Sequence, residues 1–184
     1  KNSIRYGEIR NICAPREGAN RLLYLPYLMG ERTPHLDPDA RGVFFGLSAI
    51  HTKRDMLRAV MEGVAYSLRD CFEICREMGI DISDMTACGG GGTSSLWRQM
   101  LADLYKCPVK TSASKEGPAL GAAILAAVGA GIYSSVPEAC SAIVKTDKTQ
   151  QPISENIPKY DSCYKLYTEI YPALKDKFKV LAKL

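Results

Sequence analysis

Four consecutive glycines, Gly89–Gly92, are the residues whose type and spacing point most directly to chemistry. They lie between a short apolar segment and a stretch with helical periodicity. Backbone N–H groups in a glycine run can approach a ligand closely, and the N-terminus of the helix that follows carries a favourable dipole for anions. The pattern predicts either a phosphate or nucleotide site over Gly89–Ser95 or a tight turn whose glycines serve only packing. The residues alone favour neither interpretation.

Two better-defined phosphate motifs are excluded. The chain contains no G-x-x-x-x-G-K-[ST] loop, and the strand predicted around Val109–Ser112 does not end in the acidic residue that would hold a ribose. A second small-residue stretch, Glu116–Ala123, predicts a helix with Pro118 in its first turn. Dense helix packing is the favoured explanation there, although a close-packed helix could also form one wall of a nucleotide slot.

Other polar and thiol residues do not predict catalysis. His35, Asp37 and Asp39 lie in a loop rich in proline, glycine and charge, and nothing in the sequence raises the pKa of either carboxyl. We expect a hydrogen-bonded loop that shapes the rim of a cleft. Cys71 and Cys75 share a helix face, but neither of the two histidines in the chain is placed to complete a metal site. The sequence predicts no metal ligands.

Composition excludes several classes of protein. The 184 residues are 46% hydrophobic and carry 24 Lys and Arg against 20 Asp and Glu, without the strongly basic patch of a nucleic-acid binder. No apolar segment reaches the roughly 18 to 20 residues of a membrane span. The first residues are not followed by the apolar segment of a signal peptide. The seven cysteines are scattered without a C-x-x-C pair, which predicts reduced, buried thiols in a cytoplasmic protein.

Strands and helices alternate around these residues. Short apolar runs predict strands at Leu22–Leu25, Gly42–Leu47, Met85–Cys88 and Pro108–Thr111, and alternation after residue 85 predicts an α/β layer with at least partly parallel pairing. The segment between Val144 and the terminal helix is polar and contains Pro152 and Pro158, and no strand or helix is predicted in it. Helices are predicted at Tyr6–Cys13, from Thr52 to Gly79, from Ser94 onward, at Pro118–Ala130, at Pro137–Val144 and at Tyr160–Lys183. Thr52 and Asp55 form the capping pair of the second helix. Pro172 should kink or divide the last helix.

Several segments resemble one known family. Gly42–Leu47, seven intervening residues and Asp55–Glu62 resemble the second signature of the FGGY carbohydrate kinases. Leu25–His35, Gly89–Gln99 and Gly117–Ala123 are similar to the branch of that family that phosphorylates D-xylulose. The similar segments extend over roughly residues 20 to 131 in the right order, so the resemblance does not depend on one short motif.

The resemblance implies a fold and an activity. The fold would be α/β, with a mixed sheet flanked by helices. It would be part of the ribonuclease-H-like C-terminal lobe found in the actin and hexokinase superfamily. Residues 1–184 would be the later part of the C-terminal domain, and the N-terminal sugar-binding domain would be absent. The parent enzyme would transfer the γ-phosphoryl group of ATP, with Mg²⁺, to the ketopentose D-xylulose and yield D-xylulose 5-phosphate.

The resemblance also implies site residues. Gly90, Gly91 and Gly92 would pack against the adenosine and α-phosphate of ATP, with Thr93 and Ser95 lining the nucleotide. The G-D-[NQ] motif that carries the general-base aspartate of the family is not found in these residues, so the base is expected upstream and no catalytic residue is assigned here.

Alternatives remain open. The parent could be an FGGY kinase for gluconate, a deoxy sugar or glycerol, because the sugar-reading residues are not in this stretch. A non-catalytic nucleotide-binding or oligomerisation module is the rival from a different class. A homodimer is also considered, because an unpaired sheet edge invites self-association.

Overall fold

The computed structural model describes residues 17–113 and 117–184, so the predicted helix Tyr6–Cys13 lies outside the described residues. A short 3₁₀ turn, Ala19–Arg21, precedes the first strand. The strands are β1 (Leu23–Leu25), β2 (Val43–Phe45), β3 (Met85–Ala87), β4 (Val109–Ser112) and β5 (Thr146–Gln150). The helices are α1 (Lys53–Glu77), α2 (Gly89–Gly92), α3 (Ser95–Tyr105), α4 (Gly117–Gly129), α5 (Val136–Ile143) and α6 (Ile157–Leu181).

The long helix α1 begins and ends where the sequence predicts. The Asp55 carboxylate accepts hydrogen bonds from the backbone N–H and the hydroxyl of Thr52, at 2.8 and 2.7 Å, as part of a capping box. At the other end Gly79 has a φ of +80°, and Ile80 N–H donates to the Cys75 carbonyl at 3.0 Å. This left-handed glycine satisfies the last carbonyls of the helix.

Helix α1 packs directly on β1, which pairs antiparallel with β2. The contact is close at Gly63, where an added Cβ would lie 2.1 Å from the Tyr24 carbonyl oxygen. Only a residue without a side chain allows this approach of helix and strand.

The second sheet is mixed, in the order β3-β4-β5. Strands β3 and β4 are parallel, with Met85 opposite Val109, which confirms the predicted parallel pairing. Strand β5 runs antiparallel to β4 and lies in a polar segment for which the sequence predicted no strand. Every residue of Thr146–Gln150 is polar and most are exposed, so the strand has no apolar alternation and is held by backbone hydrogen bonds at the sheet edge.

A buried carboxylate attaches the chain after β5 to α3. Asp103 is 1% exposed and accepts hydrogen bonds from Gln99 Nε2 at 2.7 Å, Ile153 N–H at 2.7 Å and Asn156 Nδ2 at 2.8 Å. A buried carboxylate with several donors is well satisfied. Asp103 thereby fixes where β5 leaves the sheet.

The main core lies among β1, α1, α3 and α6 and is rich in tyrosine. Helix α6 runs through Pro172 undivided, which excludes the division of the helix but leaves the alternative prediction of a kink untested. The same helix holds the loop predicted to be hydrogen-bonded: the ring of Tyr171 stacks on His35 with centroids 3.7 Å apart, and its hydroxyl donates to Asp37 Oδ2 at 2.7 Å. This bond holds the pKa of Asp37 below its ordinary value.

The cysteines only partly match the expectation of buried thiols. All six in the described part of the chain are free, yet Cys107 alone among them is fully buried and Cys88 is exposed. Apolar neighbours in sequence do not decide burial, because the face of the element on which a side chain lies does so. The other four are partly exposed: Cys71, Cys75, Cys140 and Cys163.

Candidate functional site

A cavity of about 360 Å³ opens at the carboxyl ends of the parallel strands β3 and β4. This is the edge of an open α/β sheet where ligands characteristically bind. The volume lies within the range of small-molecule sites. Its walls come from the end of β3, the glycine run, α3, the end of β4, the start of α4 and β5, and include Ala87, Cys88, Gly90, Arg98, Thr111, Gly117 and Lys148.

The glycine run forms a single helical turn rather than an extended loop. Cys88 precedes the turn, and Gly89 has a φ of +72°, which favours glycine. Thr93 closes the turn, because its hydroxyl donates to the Gly90 carbonyl at 2.7 Å. Ser94 then caps α3, with its hydroxyl oxygen accepting from Trp97 N–H at 3.3 Å.

The glycines have different reasons for lacking a side chain. A Cβ on Gly92 would lie 2.7 Å from the Ala87 carbonyl oxygen, so Gly92 is required for packing. A Cβ on Gly91 would lie 3.4 Å from Nε1 of Trp97, at the limit of ordinary contact. A Cβ on Gly90 would meet no described atom within 4 Å. Gly90 therefore leaves an open backbone surface in the cavity wall that packing within the described residues does not require.

The structure brings together three of the five residues predicted for the nucleotide site. Gly90, Gly92 and Thr93 line the cavity. Gly91 lies against Trp97 and does not line it, and Ser95 lies in the first turn of α3, also outside the lining. The nucleotide contacts of all five residues remain predictions.

Sequence reasoning missed the part of the cavity wall that β5 forms and the buried arginine that lines the cavity. Lys148 and its neighbour Asp147 come from β5, whose polar sequence gave no strand signal. The Thr111 hydroxyl oxygen accepts a hydrogen bond from Lys148 N–H at 3.2 Å, which attaches this wall to β4. Arg98, 5% exposed, also lines the cavity and donates from Nη1 to the Gly92 carbonyl at 2.6 Å. The one sequence signal that could have indicated Arg98 is its position one helical turn after the Ser94 cap.

Two further searches concern the described residues alone. Within 17–113 and 117–184, no group of three or more His, Cys, Asp or Glu side chains is arranged to hold a metal ion. No helix in the same ranges combines the length and apolar character needed to cross a membrane.

Solved structures define the class of fold. The xylulose kinase of Lactobacillus acidophilus superposes with a TM-score of 0.89 at 30% identity, covering 95% of this chain and 36% of that one. The gluconate kinase of the same organism superposes with a TM-score of 0.90 at 28% identity, covering 98% and 37%. The mixed sheet and its flanking helices are therefore part of the ribonuclease-H-like fold of the actin and hexokinase superfamily.

Sequence comparison then gives the family. The C-terminal domain of the FGGY family of carbohydrate kinases matches residues 8–130. The xylulose kinase of Staphylococcus epidermidis is 43% identical over 171 residues, which are 92% of this chain and 34% of that protein. The chain belongs to the FGGY family of carbohydrate kinases. It spans about a third of the length of the curated relatives it matches.

Proposed function

We propose that this chain is the nucleotide-binding side of an ATP-dependent sugar kinase, corresponding to the later part of its C-terminal domain. The observation that carries the proposal is the open backbone at Gly90, in a cavity at the carboxyl ends of two parallel strands. Packing explains Gly92 but not Gly90, and a surface without a side chain suits the close approach of a flat or anionic ligand. Family membership supports ATP as that ligand.

The residues present fit a nucleotide. The cavity of about 360 Å³ accommodates a nucleoside, and the buried guanidinium of Arg98 in its lining suits a phosphate. The chain would hold and orient ATP so that the γ-phosphoryl group meets the sugar hydroxyl, because positioning and electrostatics supply most of the rate in phosphoryl transfer. Mg²⁺ would accompany ATP and neutralise phosphate charge, and the general-base aspartate is proposed to lie upstream of residue 1.

D-xylulose is the substrate that we propose, with D-xylulose 5-phosphate as product. The support is the 43% identity to a xylulose kinase and the similarity of the Leu25–His35 segment to that branch. Gluconate is the second candidate, because a gluconate kinase superposes on the chain as well as a xylulose kinase does. Both proposals concern the whole protein and its sugar.

Filling the open surface tests the nucleotide site. We expect Gly90→Leu to abolish ADP binding, measured by amide shifts in a titration of the chain, because the side chain enters the cavity. Thermal unfolding should change little, since a Cβ there meets nothing within 4 Å. Gly121→Leu is the matched control, with equally open space on another helix, and should keep ADP binding. Equal ADP affinity in wild type and Gly90→Leu would refute the proposed site.

The sugar is tested on the whole protein. We expect ADP formation from ATP to depend on D-xylulose and to be much slower with gluconate, a deoxy sugar or glycerol. Turnover with gluconate and not with D-xylulose would replace the proposed substrate while keeping the kinase. Turnover with no sugar in the panel would count against the kinase itself.

A further inference from the structure

Arg98 is a buried cation without an anionic partner in the described part of the chain. It is 5% exposed, and its Nη1 donates to the Gly92 carbonyl at 2.6 Å. Its Nε is buried and has no hydrogen-bond partner among the residues that the structure describes. Among residues 17–113 and 117–184, no carboxylate lies within ion-pair distance of this guanidinium.

The other two buried arginines of the described residues show what is unusual about Arg98. Arg58 is 5% exposed and lies 2.6 Å from Glu62 Oε1. Arg69 is 6% exposed and lies 2.8 Å from Asp161 Oδ1. Each buried guanidinium away from the cavity is thus paired with a carboxylate, as buried charges normally are. The unpaired guanidinium is the one that lines the cavity.

We propose that Arg98 binds a phosphate group of the nucleotide and, through the Gly92 carbonyl, holds the glycine turn against it. This inference rests on the proposed nucleotide-binding function and assigns a residue to the phosphate. Burying an unpaired charge is costly, and an anion that enters the cavity removes that cost while gaining a charge-assisted hydrogen bond. The planar guanidinium can donate to the Gly92 carbonyl from one nitrogen and still present other N–H groups to a phosphate oxygen.

A role limited to clamping the turn makes a different prediction. A clamp would affect every ligand of the cavity alike, because it would act only through the shape of the Gly90–Gly92 backbone. A phosphate-binding residue would affect ligands according to their phosphate content. The ratio of adenosine affinity to ADP affinity therefore separates the two roles.

The experiment compares adenosine, AMP and ADP binding to the 184-residue chain by amide chemical-shift titration at fixed ionic strength. We expect Arg98→Met to weaken ADP and AMP binding by about tenfold or more, the effect of losing a hydrogen bond to a charged group, with adenosine affinity unchanged. Arg98→Lys should recover part of the phosphate preference because it keeps the charge. The control is Lys110→Met, which removes a partly exposed charge on β4 that pairs with Asp84 and should change neither affinity.

The outcomes separate this inference from the proposed function. If Arg98→Met weakens adenosine and ADP by the same factor, or leaves ADP unchanged, phosphate binding by Arg98 is refuted and the nucleotide site stands. If the wild-type chain binds neither adenosine nor ADP, the proposed function fails and the inference fails with it. Should Arg98→Met not fold, Arg98→Gln gives the same comparison, because it keeps an N–H donor for Gly92 without the charge.

Discussion

Glu62 is a buried carboxyl whose ionisation opposes folding. It is 1% exposed, and its Oε1 accepts hydrogen bonds from Arg58 Nε at 2.6 Å and from Gly18 N–H at 3.0 Å. Its Oε2 is buried and has no hydrogen-bond partner within 17–113 and 117–184. Burial raises the pKa of Glu62 to about 7, because the loss of water outweighs the attraction of Arg58.

This raised pKa makes the stability of the chain depend on pH. The unfolded chain ionises Glu62 near its ordinary pKa of 4.5 and the folded chain near 7, so the folded state binds more protons between these values. The contribution of Glu62 is thus present below pH 4.5 and is lost as the pH rises through about 7. We expect wild type to lose on the order of 2 kcal/mol of unfolding free energy relative to Glu62→Gln between pH 5 and 8.

Urea unfolding of both proteins across that pH range checks this expectation. Glu77→Gln, an exposed position on the same helix, is the control and should follow wild type. A difference between wild type and Glu62→Gln that stays constant from pH 5 to 8 would contradict the account.

At the scale of elements, the approach of α1 to β1 depends on one glycine. We expect Gly63→Ala to lower the unfolding free energy by about 3 kcal/mol, because a Cβ at 2.1 Å from the Tyr24 carbonyl oxygen forces the helix and strand apart. Gly121→Ala makes the same change at an open helix position. It should raise the unfolding free energy by about 0.5 to 1 kcal/mol, because alanine has the higher helix propensity. Chemical denaturation measures the unfolding free energy of both variants. Equal changes in the two variants would show that the contact at Gly63 does not limit packing.

Elements with strong local signals could be predicted from the sequence. Helix α1 has a capping pair at Thr52 and Asp55 and a terminal Gly79, and both ends are found as expected. Its buried face is not the one that apolar periodicity predicts, because Val64 and Leu68 are exposed while Glu62 is buried. Strand β5 could not be predicted, because its placement depends on backbone pairing with β4 and on the distant carboxylate of Asp103. For the same reason, the sequence did not predict the part of the cavity wall that β5 forms.

The candidate site, too, could be predicted only where neighbouring residues in the sequence carry the signal. The glycine run indicated a ligand site, but only the distances show that Gly92 is needed for packing and Gly90 is not. The unpaired state of Arg98 could not be predicted either, since it depends on which carboxylates the fold brings near.

The molecule as a whole presents apolar surface outside its core. Leu125 is 62% exposed and Ile132 is 70% exposed, and Ile124 is the buried residue of the apolar helix α4. Large contiguous apolar patches mark contact with another polypeptide, whereas singly exposed apolar residues are ordinary. The exposed residues here are compatible with further parts of a larger enzyme and with the homodimer considered from the sequence, which stays a prediction.

Under the proposed function, this chain carries one side of a nucleotide cleft. A helix terminus contributes about 0.3 to 2 kcal/mol to anion binding, whereas a millimolar complex requires about 4 kcal/mol. We therefore expect the 184 residues to bind ATP or ADP no more tightly than about millimolar. Isothermal titration measures this affinity. A micromolar dissociation constant would show that tight nucleotide binding does not require the other side of the cleft.

The most direct test of the central claim is a titration of the isotope-labelled chain with ADP, followed through its backbone amide signals. We predict saturable shifts at Gly89–Thr93, Arg98 and Thr111, the residues around the cavity, with a dissociation constant of about a millimolar or weaker. Unchanged signals at these residues under tens of millimolar ADP, or shifts confined to another surface, would contradict the assignment of this cavity to the nucleotide.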